Sequence, residues 1–566
     1  MPRAESRDRA LAASAAVAAY ATALLAHGWP RDDRWLILEH PLLRAGWPAA
    51  ARLLTSGYVQ PVLGARTPIH EWRPMLSLTF LLQRVTTGFA PLPLHAVNLA
   101  LHVAAVLLVL EAFRRRLGAR AALAGALVFA VLPVHAEVVA YLTSRSELLA
   151  ALSVLGAWLL LTSPRRPDPR AVFGGAVIYL LGSLSKESAI LFPAFLALSD
   201  WTFDGELPWS PARRRVYLAL GAAAALVVLG RVAVLPSIAH GGVAYFAGTP
   251  PLSRILTLSR FWSWSYLRPA VLGVGLCTDF ARPLVPDSGP GDLAAWAALL
   301  SIAAVVMAAA RAVWTRREWG FWLLGPCLFL LPTSHLLMNL DTLGAQRFLY
   351  IPCLALAAGA GVLFARVEKT HASVARASLC VVVLLLGARA SVRALDWRDD
   401  AAYYHAAVAC NPVSAKARVG LGLAELRDGR TDSGEADLVV AQRLDPNLYD
   451  AAINLAKVAF DRGDDATAIQ RTARALTLAP DAAEALVLAA LLDERAGRSA
   501  DAEAKLAHAA AANPDDPVVR FDYARALAKR GAGAEAALQV AAYLRLVPAG
   551  PDAAEARRWL DSLQRP

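Results

Sequence analysis

Five cysteines among 566 residues, Cys277, Cys327, Cys353, Cys380 and Cys410, include no CxxC pair, and most stand in or near apolar stretches. Neither a metal site nor a disulfide framework is indicated. Charge is also scarce: Asp, Glu, Lys and Arg make up 18% of the chain against 57% hydrophobic residues, and mean hydropathy is positive. That shortage excludes a soluble protein throughout, because a soluble domain has no use for many apolar runs of about 18 to 22 residues. Residues 398–566 read as soluble, so the apolar excess belongs to the first part of the chain. The apolar segments show no internal symmetry, which argues against a transporter.

Roughly 20 residues of helix cross a bilayer core of about 30 Å. Eleven segments qualify, 10–27, 92–113, 121–140, 147–162, 171–185, 188–202, 216–235, 292–310, 319–337, 348–365 and 377–395. The stretch 252–276 is punctuated by Arg254, Arg260 and Arg268 and reads as an interfacial or re-entrant helix, with Trp262 and Trp264 at headgroup level. The formal net charge is +11. In a soluble protein this would point to nucleic acid; here the arginines sit in short connections between spans, report topology instead, and no nucleic-acid partner is expected. Five clusters fall on one side together with Arg3, Arg7 and Arg9: Arg114, Arg115, Arg116 and Arg120; Arg165, Arg166 and Arg170; Arg213, Arg214 and Arg215; Arg311, Arg316 and Arg317; Arg366, Lys369 and Arg376. Under the positive-inside rule that side is the cytoplasm, and counting 252–276 as a full span would put the last two clusters outside. The loop 28–91, the turn from His135 to Glu147, the Ser185 to Ser188 turn, the segment 236–291, the loop 338–347 and the C-terminal domain then lie outside. The first span resembles a signal peptide in its basic start and alanine-rich core, but cleavage is not expected and would not change this sidedness. Alanine and arginine richness suggests a GC-rich bacterial genome, hence an inner-membrane protein with its outer parts in the periplasm.

After the spans a period takes over. Pro412, Pro446, Pro480 and Pro514 are spaced by 34 residues, Pro548 continues the series, and Gly429, Gly463, Gly497 and Gly531 follow with the same step. Glycine ends a helix because it tolerates positive φ, and proline cannot continue one, so each unit reads as helix, glycine turn, helix, proline stop. The pattern resembles the tetratricopeptide repeat, an α-solenoid whose concave face binds extended segments. The chain is therefore expected to be all-α: a polytopic membrane domain over 1–397 and a solenoid over 398–566. The full repeats are expected at about 415–448, 449–482, 483–516 and 517–550, with 398–410 and 551–566 as caps.

The candidate chemistry lies in the outer loops. Asp32 and Asp33 follow the first span, where a carboxylate can accept a hydroxyl proton; a solvated helix start is the plain alternative. His135 and Glu137 point to different faces of a helix, so they are not a local pair of metal ligands; a structural role paired with an arginine such as Arg145 is equally open. Lys186, beside Glu187 in Ser185–Ser188, either meets an anionic lipid phosphate or forms a local ion pair. Arg347 stands on the outer side against the positive-inside trend, and its planar fork, like that of Arg73, suits a phosphate or snorkels to a headgroup. His95, Asn98 and His102 recur along one face of the second span and can form interhelical hydrogen bonds.

No one of these motifs is specific, but their order is. Asp32-Asp33, Trp72-Arg73-Pro74, Leu94-His95 with Asn98 and His102, Pro133-Val134-His135-Ala136-Glu137, Ser144-Arg145 with Glu147, Ser185-Lys186-Glu187 and Arg347-Phe348-Leu349-Tyr350-Ile351-Pro352, then the 34-residue repeats, resemble the transmembrane and tetratricopeptide-repeat-containing O-mannosyltransferase family over nearly the whole chain. The resemblance implies a glycosyltransferase of the C superfold that moves a mannose-like sugar from a polyprenyl phosphate to a hydroxyl acceptor on the outer face. It implies Asp32 or Asp33 as catalytic base, Lys186, Arg347 or Arg73 as phosphate ligands, and His135, Glu137, Glu187 and Arg145 in support. A protein or peptide acceptor would be presented by the repeats, and no metal is assigned. The chain departs from the family in carrying Gln346 where an acidic residue commonly precedes the Arg-x-Leu-Tyr run. A non-catalytic membrane-anchored scaffold for envelope assembly is the rival, which would leave the outer ionisable groups scattered.

Overall fold

The structure is a computed structural model, and it describes residues 2–63, 70–162, 167–235, 245–281, 284–337, 340, 342–547 and 553–564. Among these residues all regular structure is helical, as expected, and the chain divides into two compact units, residues 1–412 and 413–566. Arg165, Arg166 and Pro548, each given weight in the sequence, lie outside the described residues.

The first unit holds α1 (Pro2–Tyr20), α2 (Pro74–Thr87), α3 (Pro91–Leu117), α4 (Ala119–Val131), α5 (Ala136–Ala140), α6 (Arg145–Leu161), α7 (Pro169–Ser183) and α8 (Phe192–Ser199). It continues through α9 (Arg214–Val234), α10 (Pro251–Phe261), α11 (Leu293–Trp314), α12 (Glu318–Cys327), α13 (Cys353–Thr370), α14 (Ala372–Ala394) and α15 (Asp400–Cys410). Among the described residues five helices are long and apolar enough to cross a membrane: α3, Leu142–Leu161, α9, α11 and Ala372–Trp397. A sixth counts if α4 and the helix Pro133–Ala140, bent by 50° from it, form one span. The other five expected segments are helical but short, broken or charged. The segment 319–337 is interrupted at Pro326 and Pro332, 188–202 joins a 3-10 turn to α8, and α7 has 15 residues. Broken helix is tolerated at membrane depth where protein surrounds it. The stretch 252–276, read as interfacial, is helical from Pro251 to Leu272 and is not among the apolar five; Trp264 is exposed.

Ion pairs bring residues of three of the five basic clusters to one end of the unit. Arg114 pairs with Asp8 at 3.0 Å, Arg116 with Asp204 at 3.8 Å, Arg213 with Asp200, and Arg120 and Arg376 share Glu368. These residues stand at or near the start of α1, the end of α3, the start of α4 and α9, the segment after α8, and the α13–α14 junction. The helices meet tightly: a Cβ on Gly361 in α13 would lie 2.3 Å from the Ala121 carbonyl oxygen of α4, and one on Gly125 would lie 2.7 Å from that of Ala357. Small residues at such crossings let backbones approach where lipid supplies no hydrophobic drive between helices.

Two expectations are corrected here. The cysteines do form a disulfide, Cys277 to Cys410, joining positions 133 residues apart. Helix α15, expected to cap the solenoid, falls within the first unit, and that disulfide ties it to the segment after Leu272.

The second unit is a run of helix pairs, Ala415–Arg427 with Thr431–Leu444, Tyr449–Asp461 with Asp465–Leu478, Ala483–Arg495 with Ser499–Ala512, and Pro517–Lys529 with Gly533–Leu546, closed by Ala553–Leu563. The repeat glycines adopt positive φ at the turn within each pair. Gly422 and Gly434 approach so closely that a Cβ on either would lie 2.7 Å from the other's carbonyl oxygen. The closing helix packs Trp559 against Phe521 and leaves Glu555, Arg557, Arg558 and Asp561 exposed.

Candidate active site

At the end of the first unit opposite the basic clusters, the helices break. The 3-10 turns Leu142–Ser144, Glu187–Leu191, Leu328–Thr333 and Gln346–Leu349 stand there, and residues from all four line a cavity of about 570 Å³. Proline accounts for part of this: Pro332 lies within one turn, and Pro193 and Pro352 stand at the helix starts that follow two others. A break frees backbone groups and puts polar side chains at the ends of apolar helices. Further walls come from the loop after α1, the segment before α2, the start of α6, the end of α7 and the last turns of α9.

The two aspartates separate. Asp32 lines the cavity with its side chain about a third exposed, accepts a hydrogen bond from the Tyr141 hydroxyl at 2.8 Å and lies 3.7 Å from the Arg31 guanidinium. Asp33 is fully buried and is not among the lining residues, accepting the backbone N–H groups of Leu142 and Thr143 at 2.9 Å each. Burial pushes its carboxyl up to about 8, although the two backbone donors pull the other way. The loop is anchored by Trp29, Leu36 and Ile37, which are buried in a small apolar cluster with Leu76, Phe80 and Leu142.

Among the described residues five cations and three carboxylates line the cavity: Arg31, Arg73, Lys186, Arg231 and Arg347, with Asp32, Glu71 and Glu187. Two of these cations are paired with carboxylates just behind the lining, Lys186 with Glu147 and Arg347 with Glu137. Lys186 and Glu187 do not form the local pair considered from the sequence. Lys186 reaches Glu147 at 3.1 Å, while Glu187 accepts from Arg73 at 3.1 Å and lies 3.6 Å from Arg231. Burial works against the charge on Glu187, but Arg73, Lys186 and Arg231 together hold its carboxyl down at about 2. Arg73 also pairs with Glu71 at 2.9 Å.

Glu137 lies behind the cavity wall and binds Arg347 twice, through the backbone N–H at 3.0 Å and the guanidinium at 2.6 Å. Its arginine partner is thus Arg347, not Arg145, which correction places Glu137 as support for a cavity cation. Arg145 is fully buried and donates to Asn98 at 2.7 Å, the Leu94 carbonyl at 3.1 Å and Thr79 at 3.3 Å. His135 is also buried, its ring against Phe129 and Tyr350 at 4.6 Å each. His102 bonds the Tyr350 hydroxyl at 2.8 Å and the Ala130 carbonyl at 3.2 Å, the interhelical bonding its spacing suggested. Sequence reasoning missed Arg231, Arg31 and Tyr141. Arg231 had a signal: an arginine inside an otherwise apolar span. Among the described residues no group of three or more His, Cys, Asp or Glu is placed to hold a metal ion.

No family model matches the chain. Curated relatives do, and they bear out the family resemblance drawn from the motifs. Protein O-mannosyl-transferase Tmtc1 of Drosophila melanogaster is 27% identical over 525 residues, covering 76% of this chain and 60% of that protein. Protein O-mannosyl-transferase F38B6.6 of Caenorhabditis elegans is 24% identical over 422 residues, covering 74% and 60%, and TMTC4 of Mus musculus is 26% identical over 424 residues, covering 64% and 56%. The chain spans about three fifths of the length of these relatives.

Proposed function

We propose that this chain is a membrane glycosyltransferase that moves a mannose-like sugar from a polyprenyl phosphate to a hydroxyl acceptor, a serine or threonine of a protein, on the extracytoplasmic face. The observation that carries the reading is one cavity lined both by Asp32 and by the cations Arg73, Lys186, Arg231 and Arg347. A scaffold has no need of that convergence. Asp32 takes the acceptor hydroxyl proton, the oxygen attacks the anomeric carbon, and the bond from that carbon to the phosphate oxygen breaks. The departing polyprenyl phosphate leaves as an anion among preorganised cations, which stabilise charge as it develops. Charge-assisted bonds to phosphate are about twice as strong as neutral ones, so the cations govern donor use. Tyr141, donating to Asp32, holds the carboxylate in place.

The two ends of the first unit support an outward-facing cavity. Residues of three basic clusters meet at one end and the cavity lies at the other, which under the positive-inside rule supports an outer position for the cavity. Under the same rule the solenoid, which follows α14, is periplasmic and offers a concave surface for a polypeptide acceptor. The test is transfer by purified protein from a set of labelled polyprenyl-phosphate sugars, with Asp32→Asn, Asp33→Asn and the double variant. Loss of transfer in Asp32→Asn is expected; transfer retained in all three sinks the assignment of the base, and no transfer from any donor by the unaltered protein favours the scaffold.

A further inference from the structure

Helix α15 contributes no residue to the cavity, yet it is bound to the loop that does. The Asp400 carboxylate accepts the Arg31 backbone N–H at 2.8 Å and faces the Arg34 guanidinium at 3.7 Å. The buried Tyr403 accepts from the Arg31 guanidinium at 3.1 Å and passes the bond on, donating to the Thr278 carbonyl at 3.1 Å. Just upstream, the His27 and Gly28 N–H groups both donate to the Arg398 carbonyl, at 3.1 and 2.9 Å. A side chain on Gly28 would collide with Asp399 at 2.7 Å. The far end of α15 is fastened as well, by the Cys277–Cys410 disulfide and by the Asn411 amide, which donates to Asp279 and to the Ala281 carbonyl.

Arg31 shows why such fastening matters. Its φ is +49°, in the left-handed region that a residue with a Cβ avoids. Backbone in that region persists only where its surroundings over-determine it, and such residues cluster at functional sites. The groups that hold Arg31 from both its backbone and its side chain come from α15, and the next residue is Asp32. From this geometry we infer that α15 braces the loop carrying the base, with Asp400 and Tyr403 as positioning residues for Asp32 that never touch substrate. The disulfide closes the brace at its far end. This inference rests on the reading of Asp32 as the base.

The test uses the full-length protein and two readouts. Steady-state transfer is measured for Asp400→Ala, Asp400→Asn, Tyr403→Phe and Cys277→Ser/Cys410→Ser, and hydrogen exchange is followed in the peptide covering residues 29–36. A misplacement of about 1 Å costs about 100-fold in rate, so Asp400→Ala is expected to lower kcat by about 10- to 100-fold while leaving the donor KM unchanged. Asp400→Asn, which keeps an acceptor for the Arg31 N–H, recovers most of that loss. Tyr403→Phe and the double serine variant lower kcat less, and exchange in 29–36 rises in every variant that slows transfer. Unchanged kcat and unchanged exchange in Asp400→Ala and Tyr403→Phe overturn the brace, as does a loss that appears in KM with the peptide still protected. If Asp32→Asn itself retains transfer, the base assignment fails and the exchange readout alone decides whether α15 holds the loop.

Discussion

Asp32 and Asp33 share a peptide bond and meet different physics. Asp32 has a tyrosine donor, an arginine within 4 Å and an opening to the cavity. Asp33 has two backbone donors and no solvent. General-base removal costs about 10²- to 10⁴-fold, so transfer in Asp32→Asn should fall by that order. Asp33→Asn should act on stability, because an amide nitrogen would face one of the two backbone N–H groups and leave it unpaired, at about 1 to 3 kcal/mol. The pH dependence separates them further. Asp33 is raised in the folded state to about 8 from an ordinary 3.8, so the folded protein holds a proton that the unfolded chain releases. Its contribution is present below the ordinary carboxylate range and is lost as pH rises toward 8, a slope in thermal unfolding that Asp33→Asn should remove. Arg347 makes a third case. Breaking a fully buried pair costs about 3 to 5 kcal/mol and this pair is partly buried, so Arg347→Ala should lower stability by less than that, leaving the Glu137 carboxylate with only the backbone N–H of position 347; adding Glu137→Ala should restore folding, seen in the melting temperature, without restoring donor use.

At the scale of elements, the features that shape the site are interruptions. An apolar run of 20 residues reads as one span, and the bilayer length rule marks where it lies. It does not say where helical hydrogen bonding gives way to a 3-10 turn, because that depends on which backbone groups find partners in neighbouring helices. The segment 319–337 illustrates the limit: Pro326 and Pro332 stand in the sequence, but only packing turns the residues after Cys327 toward the cavity. The helix crossing at Gly361 offers a clean check. A leucine there must displace the Ala121 carbonyl oxygen, 2.3 Å from a new Cβ, and overpacking of this kind costs about 1 to 3 kcal/mol. Thermal unfolding in detergent should show the loss in Gly361→Leu, and Gly359→Ala, with nothing within 4 Å, should match the unaltered protein.

For the whole molecule the expectation concerns division of labour. Removing residues 413–566 should leave donor binding by the first unit intact and reduce transfer to a protein acceptor more than transfer to a short hydroxyl peptide, a comparison one labelled-donor assay makes. The helix pairs of the repeats were legible beforehand, down to the glycine turns, since positive φ and the missing proline N–H are properties of single residues, whereas the cap expected at 398–410 belongs to the first unit. The all-helical class and the location of the apolar segments were legible too, because burial in lipid is written in composition. Asp32, Arg73, Lys186 and Arg347 were named from their loops; Arg231 was concealed in a span and Tyr141 among apolar neighbours. Periodicity and hydropathy, which act over one turn or one bilayer crossing, by themselves determined that this chain is a membrane bundle followed by a solenoid. Only the tertiary structure decided which aspartate faces the cavity, which glutamate holds which cation, and that Cys410 reaches Cys277, because each of these depends on partners brought together from distant parts of the chain.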